Sequence, residues 1–329
     1  MSNKDTLKYN FSNNRSLLDT LEVTSDYYKS KSHQSLYNNA LRKSSTIATL
    51  KRLIDVSDKQ QQKKYWKAWH CQRVLLQDGN NLKGSLCRKR WCQTCNRIKT
   101  AEQINGYHKP LLELQDKENL YFVTLTAPTI EGRKLASEIK KRYKAFVRVK
   151  DNLRKNYGIK LIGIRKLEIT YNESTKKYHP HFHFIQQGKR ESELLQTLWL
   201  EQFPKANIKA QDIRLVDASN PANLLEVFKY AVKQDIKNEV TAKATNTIYK
   251  ALEGKRTIQT YGKLRKVKEV KEALSNETKA DFITAQQDIW IYDSIKWDWI
   301  NSRYQELIDT KEIYSAIELK VVNSALKLD

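Results

Sequence analysis

The chain has 329 residues, which is long enough for one large or two medium domains with a hydrophobic core. Its 60 Lys and Arg residues outnumber 37 Asp and Glu residues, and the net charge of +23 favours a polyanionic partner, above all nucleic acid. No apolar run of about 18 residues and no signal-peptide pattern occurs, which excludes a membrane-spanning or secreted class and predicts a cytoplasmic protein.

The charge is distributed unevenly along the chain. Residues 271–329 contain seven Lys or Arg and eleven Asp or Glu, which leaves a net charge of +27 for residues 1–270. Polyanion binding is therefore expected in the first 270 residues. No basic amphipathic helix with a clean apolar face is found, which disfavours a membrane-surface role.

The first predicted region, residues 1–60, is polar and rich in Ser, Asn and Lys, and we expect a partly helical N-terminal arm. The second, residues 61–110, contains every cysteine of the chain. They are separated by 15, 4 and 2 residues, in the order Cys71, Cys87, Cys92 and Cys95.

Thiols this close in a cytosolic chain are more often metal ligands than disulfides. Four thiolates fit a closed tetrahedral zinc site, so residues 61–110 are predicted to form a small structural zinc module. The competing interpretations are a redox dithiol formed by Cys92 and Cys95, or four ordinary thiols.

Residues 118–255 alternate between strand and helix patterns. The runs "LYFVTLTAP", "LIGIRKLEIT" and "YHPHFHFIQ" are typical of strands, whereas "SEIKKRYKAFVRVKDNLRK", "ESELLQTLWLEQF" and "NLLEVFKYAVKQDIK" have helical spacing. Residues 256–329 include the Trp-rich acidic run "DIWIYDSIKWDWINSRYQELI" and are predicted to be a C-terminal helical extension.

The two central strand patterns predict a metal site. Side chains two residues apart share a strand face, and pairing Tyr171 with Tyr178 across the turn "NESTKK" places Glu168 opposite His181. His183 is then the diagonal neighbour of Glu168. Two imidazoles and one carboxylate form a compact three-ligand site that leaves coordination positions open.

His179 lies on the same strand face as His181 and His183, but Pro180 places it at the start or edge of the strand. We therefore assign His179 to the rim of the predicted metal site. The competing interpretation is a set of polar histidines on a solvated sheet face. Cupins and amidohydrolases also use a His-x-His strand, but both need further histidines, and this chain has none after His183.

A third candidate group lies in the run "NLLEVFKYAVKQ", where helical spacing would put Glu226, Tyr230 and Lys233 on one face. A tyrosine hydroxyl can act as a covalent nucleophile when it is activated. The competing interpretations are a core aromatic at Tyr230 and a surface glutamate at Glu226 that pairs with Lys229.

The runs "FVTLTAP", "HPHFHF" and "EVFKYAVK", in that order, resemble the motifs of rolling-circle plasmid replication initiators, the Rep proteins of the HUH endonuclease superfamily. The four-cysteine module and the later run "ALEGKRTIQTYGKL" extend the resemblance over roughly residues 65–265. It implies an α+β HUH endonuclease fold, in which a central, mainly antiparallel sheet is flanked by helices.

The resemblance also implies an activity, that of a nickase-ligase. Tyr230 matches the nicking tyrosine, Glu226 the acid that handles the terminating water, and Lys233 a lysine near the scissile phosphate. Mn²⁺ or Mg²⁺ at Glu168, His181 and His183 would assist a transesterification that leaves a 5′-phosphotyrosine and a 3′-hydroxyl primer.

The implied partners are plasmid origin DNA, as a double-stranded binding site and a single-stranded nick site, and the host helicase and replication machinery. Two alternatives stay open. One is a non-catalytic zinc-dependent DNA-binding regulator, which would not need the metal ligands and Tyr230 to converge. The other is a transposase or relaxase of the same superfamily, since relaxases usually carry three histidines and His179 could be the third.

Overall fold

The computed structural model describes residues 31–78, 81–84, 86–229, 232, 236–267, 288–293 and 298–302. The described helices are α1 (Lys31–Asp55), α2 (Lys59–Trp69), α3 (Gln93–Gln115), α4 (Leu135–Asn156), α5 (Lys189–Gln202), α6 (Pro221–Phe228) and α7 (Glu239–Ala251). None of these is both long and apolar enough to cross a membrane.

The described strands are β1 (Val74–Asp78), β2 (Asn81–Gly84), β3 (Leu120–Leu125), β4 (Gly163–Asn172), β5 (Lys177–Gln187), β6 (Asp212–Val216), β7 (Ile258–Tyr261), β8 (Asp288–Asp293) and β9 (Asp298–Ser302). Short 3₁₀ turns occupy Gly132–Lys134 and Ile208–Ala210.

Contacts divide the chain into two compact units. The smaller unit includes residues 72–85 and 280–329 and contains an antiparallel sheet in the order β2-β1-β8-β9. The larger unit comprises residues 45–71 and 86–279 and contains both predicted site clusters.

The prediction of a helical C-terminal extension is wrong for the residues that the structure describes there. Strands β8 and β9 lie within the Trp-rich run, and β7 also falls in residues 256–329. Alternating Ile, Trp and Tyr residues favour a strand, and β8 completes its backbone hydrogen bonds with β1. The remaining parts of the extension, and residues 1–30 of the predicted arm, lie outside the described residues.

The sheet of the larger unit has the order β6-β3-β5-β4-β7, and every neighbouring pair is antiparallel. Helices pack on both of its faces. The predicted fold class, α+β with a central antiparallel sheet flanked by helices, is therefore confirmed.

Residues that alternate along the strands form two separate cores. On one face, Phe182 and Phe184 of β5 pack against Trp199 of α5 and Phe146 of α4, with ring centroids 5.6 and 5.3 Å apart. Helix α4 is amphipathic and buries residues three or four positions apart on this side, such as Val149 and Leu153. We call this the helix face of the sheet.

On the other face, Phe122, Ile164 and Ile185 form a second core with Leu111 of α3 and Leu224 of α6. This core covers only one end of the three central strands, because further along β4 and β5 the same face carries polar residues. We call it the polar face.

Candidate metal centre

The polar face brings together the three residues that the sequence predicts as metal ligands. Strands β4 and β5 pair in the expected register, with Tyr171 opposite Tyr178 and Glu168 opposite His181. One ligand atom each from Glu168, His181 and His183 lies within 4.8 Å of the others, and all three side chains are largely buried.

Hydrogen bonds orient both imidazoles. Nδ1 of His183 is 3.2 Å from the Thr124 hydroxyl, and Nδ1 of His181 is 3.0 Å from the His179 carbonyl oxygen. With the proton on Nδ1, Nε2 of His183 presents its lone pair toward Glu168, whose Oε2 is 3.6 Å away. Such outer partners fix the tautomer of metal-binding histidines.

The electrostatics of the cluster favour the protonation states that bind a cation. Burial, and then the neighbouring His181, lower the pKa of His183 to about 4, so this imidazole is neutral at pH 7. Burial alone would raise the pKa of Glu168, but the Lys166 ammonium holds it below its usual value. Neutral imidazole and ionised carboxylate are the forms that coordinate metals.

His179 lies outside this three-ligand group. It pairs with Thr170 at the start of β5, and its ring stacks on that of His181 with centroids 5.1 Å apart. Its position fits the predicted rim location. The third histidine of a relaxase-like site is therefore not part of the cluster.

Lys166 is a central residue of the site that the sequence analysis missed. It is completely buried, and its Nζ donates to Oε2 of Glu168 at 2.8 Å and to the backbone carbonyl of Glu226 at 2.9 Å. It also lies directly opposite His183 in the β4–β5 pair. Lys166 and Glu168 are two residues apart on β4 and therefore share a strand face, and this spacing could have identified Lys166 as a site residue from the sequence.

Helix α6 ends at Phe228, so it includes only Glu226 of the three residues that the sequence places on one helix face, and that common face stays a prediction. Tyr230 and Lys233 lie outside the described residues. At this end of the helix, the Glu226 carbonyl accepts a hydrogen bond from the Lys166 ammonium, and the Phe228 carbonyl accepts one from the Thr100 hydroxyl at 3.0 Å.

The Glu226 side chain is half-exposed and forms an ion pair with Lys229. This is the surface pairing that the competing interpretation predicts. Its backbone, however, is joined to the candidate metal centre, because the same Lys166 ammonium contacts both its carbonyl and the Glu168 carboxylate.

Tyr249 and Tyr261, which follow Tyr230 along the chain, are both buried. The Tyr261 hydroxyl donates to Oε1 of Gln186 at 2.8 Å, and burial raises its pKa. A buried hydroxyl cannot reach a DNA phosphate, so these two tyrosines are poor nucleophile candidates.

A second cluster holds the four cysteines, whose sulfurs lie within 4.8 Å of one another. All four are in the described part of the chain and none forms a disulfide. The Sγ of Cys95 is 3.5 Å from that of Cys71 and 3.6 Å from that of Cys87. A tetrahedral zinc with Zn–S bonds of about 2.3 Å would space its sulfurs about 3.8 Å apart.

The backbone around the cysteines favours thiolates. The N–H groups of Cys87 and Arg88 donate to the sulfurs of Cys71 and Cys95, at 3.3 and 3.2 Å. Cys92 is the N-cap of α3, where the helix dipole stabilises negative charge. Hydrogen bonds from Cys71 lower the pKa of Cys92 and Cys95, whereas the same network of thiols raises the pKa of Cys71 and Cys87. The donor set therefore fits zinc.

Comparison with known proteins identifies related sequences. A family model described as Replication protein matches residues 80–305, which is more than half of the chain. Three relatives, each called Protein rep, come from Staphylococcus aureus, Streptococcus pneumoniae serotype 2 and Lentilactobacillus hilgardii.

The chain is 28%, 26% and 26% identical to these relatives in that order. The alignments cover 46%, 61% and 66% of this chain and 71%, 68% and 78% of the relatives. No solved structure gives a significant match.

We expect Lys166→Met to lower the free energy of unfolding by about 3–5 kcal/mol, because it leaves the Glu168 carboxylate buried without its cation. Urea denaturation without added divalent ions measures this change. The double variant Lys166→Met/Glu168→Leu should recover much of the loss, since it removes both charges. The control, Lys144→Met at an exposed position of α4, should stay within about 0.5 kcal/mol of the parent. Equal stability of the Lys166 and Lys144 variants would contradict the buried pair.

Proposed function

The chain belongs to the Replication protein family, in agreement with its resemblance to plasmid rolling-circle initiators, and from this premise we propose that it nicks one strand of its plasmid origin through a tyrosine nucleophile. The observation that carries the proposal is the convergence of Glu168, His181 and His183 on one sheet face. A regulator that only binds DNA needs no such cluster.

The three residues would hold Mn²⁺ or Mg²⁺, because a carboxylate suits these hard cations and imidazole is compatible with Mn²⁺. Such an ion would polarise a phosphate oxygen and orient the scissile bond. The imidazoles are oriented for this purpose by Thr124 and by the His179 carbonyl.

Tyr230 is the proposed nucleophile. Its hydroxyl oxygen forms a bond to phosphorus, and the bond to the 3′ oxygen breaks, which yields a 5′-phosphotyrosine and a 3′-hydroxyl primer. The phosphodiester energy is retained, so the strand can be rejoined without a nucleotide cofactor. Tyr230 follows Phe228, the last residue of α6, by two positions in the sequence, and Lys166 anchors the last turn of that helix.

Two further residues have proposed roles in the same reaction. Glu226 would position or deprotonate the water that ends a round of replication, and a DNA phosphate would compete with it for Lys229. Lys233 would contact the scissile phosphate. Their place in the sequence beside Tyr230, in the run that resembles the third Rep motif, supports both roles.

The proposed partners are double-stranded origin DNA, the single-stranded nick site, and the host helicase and replication machinery. The net charge of +27 in residues 1–270 supports DNA binding, since counterion release from phosphates supplies salt-dependent affinity. The proposed zinc at Cys71, Cys87, Cys92 and Cys95 has a structural role, because four thiolates leave no open coordination position.

The zinc proposal predicts about one tightly bound zinc per chain, because four clustered thiolates form a closed site. Elemental analysis of protein purified without chelators measures it, and Cys92→Ser should lower both the zinc content and the melting temperature. Zinc-free protein with four titratable thiols would show that the cluster binds no structural metal.

The metal proposal predicts that His181→Ala or His183→Ala lowers origin nicking by more than about 100-fold, since even outer-shell changes cost that much in some metal sites. Nicking of a supercoiled plasmid that carries its origin, with added Mn²⁺, measures the rate. Binding to double-stranded origin DNA should stay near the parent level, because surface charge supplies it. The matched control is His179→Ala, which should keep most of the activity. Parallel loss of binding and nicking would count against the metal role.

The nucleophile proposal predicts that Tyr230→Phe abolishes both nicking and the covalent protein–DNA adduct, since only the attacking hydroxyl is deleted. The readout is a labelled origin oligonucleotide that remains attached after denaturing electrophoresis. Tyr249→Phe serves as the control and should retain the adduct. A labelled adduct that persists in the Tyr230 variant would assign the nucleophile to another residue.

A further inference from the structure

A cleft of about 610 Å³ lies on the helix face of the central sheet, away from the metal centre. Helix α4 forms one wall, and the edge strand β7 with the turn before it forms the other. The side chains that give the cleft its chemistry are Tyr143, Phe146, Lys150, Arg165, Lys255 and Arg256.

Arg165 lies at the base of the cleft and is 95% buried. Its guanidinium carbon is 4.5 Å from the ring centroid of Tyr143, 4.8 Å from that of Phe146 and 4.9 Å from that of Phe182. Nη2 donates to Oε1 of Gln259 at 2.8 Å. The rings offset part of the cost of burying this cation, but a buried charge is normally paired with an opposite charge.

Within the part of the chain that the structure describes, no carboxylate forms an ion pair with Arg165 or with the rim cations Lys150, Lys255 and Arg256. The residues that line the cleft include no Asp or Glu. Four cations around one cavity therefore lack a counter-charge from its walls, which favours an anionic ligand.

The aromatic ring of Tyr143 in the cleft wall favours an anion that also carries an aromatic base. Tyr143 is only partly buried, and its hydroxyl donates to the Arg256 carbonyl at 2.9 Å, which holds the ring beside the cationic rim. An aromatic ring next to Arg and Lys side chains is the combination that stacks on a base and contacts its phosphate.

We propose that this cleft binds one nucleotide unit, with its phosphate at the rim formed by Lys150, Lys255 and Arg256 and its base against Tyr143. A nucleotide within a DNA strand and a free nucleotide share this chemistry. The proposal goes beyond nicking, because the cleft and the metal centre lie on opposite faces of the sheet.

The test compares two double variants that change the charge equally. Lys150→Glu/Arg256→Glu alters the rim, whereas Lys140→Glu/Lys144→Glu alters exposed positions of α4 outside the cleft. The probe is a dye-labelled single-stranded oligonucleotide of about eight thymidines. Fluorescence anisotropy without divalent ions measures its affinity at several salt concentrations, so that nicking has no part in the result.

The rim variant should bind the oligonucleotide about tenfold more weakly and reduce the slope of log affinity against log salt by about 0.7, since the cleft contacts one phosphate and each phosphate contact on a single strand contributes about 0.7. The control variant should leave the slope near the parent value. Equal losses in the two variants would overturn the proposal, because they would reflect net charge alone.

Thymidine monophosphate, titrated directly by calorimetry, distinguishes the two sources of the nucleotide. Affinity equal to that of the oligonucleotide, and lost in the rim variant, assigns the cleft to a free nucleotide. Much weaker binding of the monophosphate, together with the rim effect on the oligonucleotide, assigns it to a DNA strand. Failure of the rim substitutions to affect either probe would overturn nucleotide binding at this cleft.

Discussion

The register of β4 against β5 is the constraint on which the candidate site depends. A slip of one residue would turn every side chain of a strand to the opposite face. Phe182 and Phe184 must face α4 and α5, and each buried aromatic stabilises that arrangement by roughly 2–3 kcal/mol. His181 and His183, which alternate with them, are thereby held on the polar face opposite Glu168 and Lys166. Burial of the apolar residues thus assembles the polar cluster.

The charges of the cluster explain how it could bind a metal together with its substrate. The positive charge of the Lys166 ammonium offsets the negative charge of the Glu168 carboxylate. When both imidazoles are neutral, the cluster therefore has no net charge. A divalent ion would then leave an excess of positive charge in a mostly buried site. In the proposed reaction, a DNA phosphate would supply the missing negative charge, so binding of the ion and of the scissile phosphate would reinforce each other.

The parts of the site that could be predicted from sequence depend on short-range geometry. The Glu168–His181 pairing follows from one turn, and the cysteine cluster follows from spacing within 25 residues. The end of α6 could not be predicted, because its carbonyls are satisfied by Lys166 and Thr100, which are 60 and 128 positions away. Likewise, β8 pairs with β1 from the other end of the chain. Local propensity carries no information about such partners.

The early end of α6 changes how the third motif could work. On a continuous helix, the proposed nucleophile would be fixed by the helix axis and by residues one turn away. Instead, Lys166 holds the last turn of α6 against the Glu168 carboxylate, and Tyr230 follows that anchor by only a few residues. The tyrosine of a nickase-ligase must attack a phosphate, hold the DNA end, and later be displaced from it. Because Lys166 ties this helix end to Glu168, the place of the proposed nucleophile in the sequence is compatible with the proximity to the candidate metal ligands that these steps require.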